Sequence, residues 1–101
     1  MITRIVKMQF REDKTDQFLQ IFKNSHELIK GSEGCISLKL VRGTQSKNIF
    51  YTISEWKSEL FLDKYRNSTL FKETWNKTKI LFIERAEAIS TELCHFGTDT
   101  I

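Results

Sequence analysis

Apolar residues along this chain change period in the order strand, helix, strand, strand, helix, strand, and no other feature limits the possible folds as tightly. From Ile2 to Phe10, residues Ile2, Arg4, Val6, Met8 and Phe10 alternate with Thr3, Ile5, Lys7 and Gln9, as in a strand buried on one side. The acid-bearing stretch Arg11 to Asp16 suits a helix N-terminus. Phe18, Leu19, Phe22, His26 and Ile29 then follow at helical spacing, up to a stop at Gly31. Ile36, Leu38 and Leu40 alternate with Ser37, Lys39 and Val41 between Gly34 and Gly43, which predicts a second strand. A hairpin loop over 43–47 leads to the β-branched and aromatic run Ile49 to Trp56. Ser58 offers an N-cap hydroxyl for a short helix carrying Leu60, Phe61 and Tyr65. Asn67-Ser68 breaks and recaps that helix ahead of a segment with Leu70, Phe71, Trp75 and Phe82 on one side, so two helices or one kinked helix fit equally. Ile80 to Ile83 reads as helix end or strand start, and Arg85 to Leu93 completes the sheet as its last strand.

A β-α-β-β-α-β order with both helical segments on one side of a four-stranded antiparallel sheet is the ferredoxin-like α+β arrangement. Its other sheet face would carry Thr3, Ile5, Lys7, Ser37, Lys39 and Val41, a mixture that can stay solvated or pack on a second copy as a homodimer. Glu55 and Arg85, of opposite sign, are candidates for a cross-strand ion pair of little energetic weight.

The 101 residues suffice for one core, so the expectation is a single domain over 1–101, with its core at about 2–93 and a C-terminal tail at 94–101. Charged residues make up 29% and mix both signs for a net charge of +3, and Lys72, Lys77 and Lys79 are interrupted by Glu73. This is the pattern of a solvated helix face, and no nucleic-acid partner is expected. The recognition motif that shares this element order needs glycine and alternating aromatics on its third strand, and Lys47-Asn48-Ile49-Phe50-Tyr51 has neither. No apolar run approaches the roughly 20 residues of a membrane span, and Met1-Ile2-Thr3-Arg4 lacks a signal-peptide layout, so a cytoplasmic protein without membrane contact is expected. Cys35 and Cys94 read as reduced thiols. Cys94-His95 is the one Cys/His neighbour pair, and adjacent side chains in an extended tail point opposite ways, so no metal site is expected.

Glu55-Trp56-Lys57-Ser58 at the end of the third strand, an aromatic-bearing helix, and then Ser68-Thr69-Leu70-Phe71 resemble the antibiotic biosynthesis monooxygenase family of dimeric α+β barrels. Gly31-Ser32-Glu33-Gly34-Cys35 ahead of the second strand fits as well, and by order and spacing the resemblance spans about residues 2–93. It implies two ferredoxin-like protomers packed sheet to sheet, each with a small-molecule pocket between sheet and helices. Activities in such a family include cofactor-free oxygenation of phenols and quinols, haem degradation and isomerisation, so membership alone does not fix the reaction. The haem-degrading branch looks for Asn, Trp and His where this chain has Val6, Tyr65 and Trp75. Without an imidazole at the third position the iron would lack its axial partner.

The implied activity is a cofactor-independent monooxygenase acting on a small phenol-like or quinol-like aromatic. The alternative is a catalytically silent homodimer that binds a small molecule or regulates. For the enzyme, His26 is the candidate catalytic base, since an imidazole titrates near neutrality. The competing role for His26 is a half-buried ring bonded to a backbone carbonyl, Tyr51 or Glu55. Phe22, Tyr51, Trp56, Tyr65, Phe71 and Trp75 are the candidate substrate-binding residues: Trp56 and Trp75 as aromatic walls, Phe22, Tyr65 and Phe71 as the apolar remainder, and a tyrosine hydroxyl as donor. All these rings can equally serve as core, and Trp56, at a strand terminus, is the one expected at a pocket mouth.

Overall fold

Four strands and three helices alternate as expected in the computed structural model, which describes residues 1–96. Strands β1 (Ile2–Phe10), β2 (Cys35–Arg42), β3 (Ile49–Trp56) and β4 (Phe82–Glu92) form one sheet in the order β2-β3-β1-β4. Every neighbouring pair is antiparallel. With helices α1 (Thr15–Lys30), α2 (Glu59–Arg66) and α3 (Thr69–Lys79), this is a ferredoxin-like α+β fold. The tail expected from residue 94 lies, from residue 97 onward, outside the described residues.

The register shows which alternating set is buried. Met8 faces Phe50 and Phe10 faces Phe82 across the ladders. With Phe18 of α1 and Leu81, Met8, Phe10 and Phe50 form a core cluster. Phe10 and Phe18 stack at 4.1 Å between ring centroids, which pins the first helix to the first strand.

Helix boundaries follow local chemistry. A short 3-10 turn, Glu12–Lys14, precedes α1 and takes up Glu12 and Asp13 of the acid-bearing entry, leaving Asp16 in the first turn of the helix. Gly31 ends α1 with a right-handed φ of −75°, and its N–H donates to the Glu27 carbonyl at 2.9 Å. The left-handed residue is Gly34, with φ at 81°. A Cβ there would also fall 2.2 Å from Cγ of Phe61, so Gly34 answers both a backbone and a packing demand. The Gly34 carbonyl accepts from the Lys57 N–H at 2.9 Å, tying the start of β2 to the end of β3.

Three expectations need correction. A register shift between Cys35 and Ser37 puts Cys35 opposite Trp56, and Ile36 is left 45% exposed rather than on the helix side with Leu38 and Leu40. Ser58 takes the N-cap position of α2 without a side-chain capping bond, and Leu62, 2% exposed, anchors that helix while Leu60 stays in solvent. Glu55 and Arg85 do not pair, because β1 separates their strands; Glu55 instead accepts from the Ser37 hydroxyl at 2.8 Å. Ser68 does recap the chain: its hydroxyl accepts from the Phe71 N–H at 3.1 Å and donates to the Tyr65 carbonyl at 2.6 Å, giving two helices rather than one kinked helix.

Opposite the helices, the sheet carries cross-strand rows read directly from the register. Lys39, Ile53, Ile5 and Ile89 form one row, and Val41, Tyr51, Lys7 and Glu87 the next. Among the described residues no helix is long and apolar enough to cross a membrane.

Candidate functional site

On the helix side, the sheet's rows from Met8 back to Arg4 become more polar, and their members on β3 and β4 become smaller. At one end Met8 and Phe50 are sealed under Phe18. Moving toward the start of β1, the next rows are Thr52, Val6 and Ala88, then Ser54, Arg4 and Ser90. Small side chains on β3 and β4 cannot fill the space beneath the helices, and a cavity of about 330 Å³ results. Its helical walls come from Phe18, Ile21, Phe22, Ser25 and Ile29 of α1, Leu62, Tyr65 and Arg66 of α2, and Phe71, Thr74, Trp75 and Thr78 of α3. Exposed Arg66 and Ala88 belong to the lining, so the cavity opens to solvent on their side.

Rings run along it in an unbroken line. Trp56 stacks on Tyr65 at 5.0 Å and 25°, Tyr65 meets Phe71 edge-on at 5.2 Å, Phe71 lies parallel to Trp75 at 5.9 Å, and Trp75 abuts Phe82 at 5.5 Å. Tyr65, Phe71 and Trp75 are half-buried, as is Phe22 across from them, and these four rings offer surface to a guest. Trp56 is different. Expected at a mouth, it is 0% exposed, covered by Tyr65, with its indole N–H donated to the Ser54 hydroxyl at 2.9 Å. It backs the wall rather than presenting a face.

Five of the expected site residues, Phe22, Trp56, Tyr65, Phe71 and Trp75, thus come together, and two do not. Tyr51 pairs with Lys7 and projects from the opposite side of the sheet. His26 is absent from the cavity lining. Its Nε2 lies 3.1 Å from the Leu38 carbonyl, which can only accept, so Nε2 carries a hydrogen; its Nδ1 is 3.3 Å from a Glu27 carboxylate oxygen. The seam facing the cavity is Phe18, Phe22, Ser25 and Ile29, and His26 stands one position further round the helix, toward β2.

Beside Tyr65, residues missed from the sequence supply the polar character. The Ser25 and Thr78 hydroxyls donate to helix carbonyls at 2.7 and 2.8 Å, which leaves only their lone pairs for a guest. Tyr65 and Arg4 keep donors. Burial, and secondarily the Cys35 thiol, push the Tyr65 pKa above its ordinary value, so the phenol stays protonated across the physiological range. Arg4 Nη1 donates to the Ser90 hydroxyl at 3.0 Å. Burial, and then the Arg66 charge, lower the Arg4 pKa, opposed by Glu59 and Asp63. The signal for Arg4 was its place among Ile2, Val6, Met8 and Phe10: a charge on the buried side of a strand. Among the described residues no group of three or more His, Cys, Asp or Glu side chains gathers as metal ligands would.

Solved structures with this architecture are numerous. A conserved protein from Methanosarcina mazei Go1 superposes with a TM-score of 0.84 at 26% identity, over 90% of this chain and 91% of its own. An antibiotic biosynthesis monooxygenase matches with a TM-score of 0.88 at 15% identity, over 94% of this chain and all of that one (100%). Rv0793 from Mycobacterium tuberculosis matches at 0.86 and 13% identity, over 96% and 98% of the two chains. No curated protein matches the sequence significantly. The likenesses at low identity carry the fold alone. The sequence profile described as antibiotic biosynthesis monooxygenase adds the ancestry, since it matches residues 1–77, and the chain belongs to that family.

Proposed function

We propose that the protein is a cofactor-independent monooxygenase that oxidises a small, planar, electron-rich phenol or quinol in the cavity between sheet and helices. The observation that carries this reading is the set of four half-buried rings, Phe22, Tyr65, Phe71 and Trp75, around a cavity of about 330 Å³. Rings at this spacing favour a flat aromatic guest, and a dry wall favours its reaction with dioxygen over side reactions with water.

The chemistry asks little of the protein. A phenolate gives one electron to dioxygen, the superoxide formed joins the ring radical at an ortho or para carbon that bears hydrogen, and the O–O bond then breaks as that hydrogen is lost as a proton. One oxygen atom remains as a quinone carbonyl, and the other leaves as hydroxide, which takes up a proton to become water. In this reading Tyr65, held protonated and part of the lining, donates to an oxygen of the bound ring or peroxide. His26 joins this scheme only if its ring leaves the Leu38 carbonyl, so the substrate's ionisation is assigned to water at the open side of the cavity.

The active species in this reading is a homodimer joined through the face that carries Ile5, Ile53 and Ile89. A second reading, ligand binding without turnover, draws on one observation: among the described residues no carboxylate or imidazole lines the cavity. Titrating tryptophan fluorescence with planar naphthols while recording oxygen uptake separates the two. Quenching with uptake supports the oxygenase, quenching alone supports the binder, and no quenching by any planar phenol removes both.

A further inference from the structure

We infer that Arg4 and Arg66 form the anchoring subsite of this cavity, and that its ligand is a planar aromatic acid held with its carboxylate on the two guanidinium groups and its ring inward. This rests on the reading of the cavity as an aromatic binding site and adds the substrate class to it.

Strand register brings the polar groups together. Arg4 lies on the helix side of β1, level with Ser54 of β3 and Ser90 of β4, so the polar row stands two residues from Val6 and four from the sealed Met8. Arg66 reaches the same cavity from the last turn of α2. The space is therefore amphipathic along its length: sulfur, methyl and ring surface at one end, two permanent cations at the other. Among the described residues neither guanidinium is within 4.0 Å of a carboxylate; the ion pairs found there are Lys7 with Glu87, His26 with Glu27 and Lys64 with Glu33. Glu59 and Asp63 act on Arg4 only through space, and the single hydrogen bond of its guanidinium, to Ser90, occupies one of five donors.

Bringing two like charges to one half-apolar space is unfavourable unless something negative is received there. The fork geometry of guanidinium suits a planar, two-oxygen anion. A carboxylate fits this end better than the reacting phenolate itself. Pairing the phenolate with two cations would hold its electrons more tightly and slow their transfer to dioxygen, whereas a carboxylate at the open end leaves the electron-rich ring among Phe22, Phe71 and Trp75.

The test uses a matched pair of probes, 2-naphthoate and 2-naphthamide, titrated against Trp fluorescence in the wild-type protein, Arg4→Met, Arg66→Met and Arg4→Lys, each checked for folding by circular dichroism. The expected result is a wild-type preference for the carboxylate of about tenfold or more, the scale of charge-assisted hydrogen bonds. That preference falls to within about twofold in each Met variant and is partly kept by Arg4→Lys, while amide binding is unchanged. Equal binding of both probes, or a carboxylate preference that survives both Met substitutions, overturns the anchor and leaves the aromatic cavity standing. Failure of both probes to bind the folded wild-type protein overturns the anchor and the cavity reading together. If Arg4→Met does not fold, Arg66→Met, at an exposed position, decides alone.

Discussion

The indole of Trp56 and the phenol ring of Tyr65 lie stacked with centroids 5.0 Å apart and planes 25° from parallel, so the last residue of β3 and a residue of α2 form one slab at the cavity wall. Because Trp56 is 0% exposed and shares its N–H with Ser54, it holds the wall rather than the guest. Trp56→Ala is expected to cost about 3–5 kcal/mol of folding free energy, the range for deleting a buried large ring. Trp56→Phe should cost less, and Trp75→Phe, at a half-buried ring, least of the three. Urea unfolding monitored by circular dichroism gives this order, and a Trp56→Ala protein as stable as the wild type would contradict the placement.

Tyr65 sets an alkaline limit on stability. Its folded pKa is raised from an ordinary 10.0, chiefly by burial, so the folded state holds the phenolic proton more tightly than the unfolded chain. The stability this contributes is complete below about pH 10 and is lost as pH rises beyond, where the unfolded chain ionises first. Cys35, raised from 9.0 mainly by burial, acts in the same direction at slightly lower pH. Melting temperature followed from pH 8 to 11 should fall more steeply in the wild type than in Tyr65→Phe. Parallel curves would show that the phenol is not desolvated.

Gly34 joins two constraints at one position. Gly34→Ala meets a φ of 81° and a contact 2.2 Å from Phe61, so a loss of more than about 1 kcal/mol is expected. Phe61→Ala combined with it should recover part of the contact cost but none of the backbone cost. A double-mutant cycle in denaturant measures that coupling; strict additivity would mean that Phe61 does not occupy the site.

The open sheet face predicts an assembly. Ile53 lies between Lys39 and Ile5 in a cross-strand row, and Ile89 at the row's end is 56% exposed. Ile53→Lys should convert a dimer to a folded monomer, because it places a second cation beside Lys39 in a surface meant to be dry. Light scattering reads the mass of both forms, and a wild-type monomer at high concentration would remove the sheet-to-sheet packing.

Strand order, helix order and the recapping at Ser68 were legible because each is written in local period and local chemistry. The displaced Ile36 was not, since a bulge shifts which residues share a face without altering composition. His26 was misplaced by one helical position: Leu19, Phe22, His26 and Ile29 fit the helical period as well as Phe18, Phe22, Ser25 and Ile29, and only packing against β2 decides between them. Tyr51 followed the strand alternation to the open face, which its register with Lys7 makes plain. Arg4 was the readable clue left aside, a charge amid four apolar residues on the buried side of β1.

Oxygenation without a helper group leaves an isotopic signature in the product. The purified protein, treated with chelator and freed of flavin, would be mixed with a planar hydroxynaphthoate under labelled dioxygen, and the product examined by mass spectrometry. The account predicts one labelled oxygen atom per product molecule, with one dioxygen consumed for each, and loss of this turnover on heat denaturation. Unlabelled product, or labelling at the same rate without protein, would contradict it.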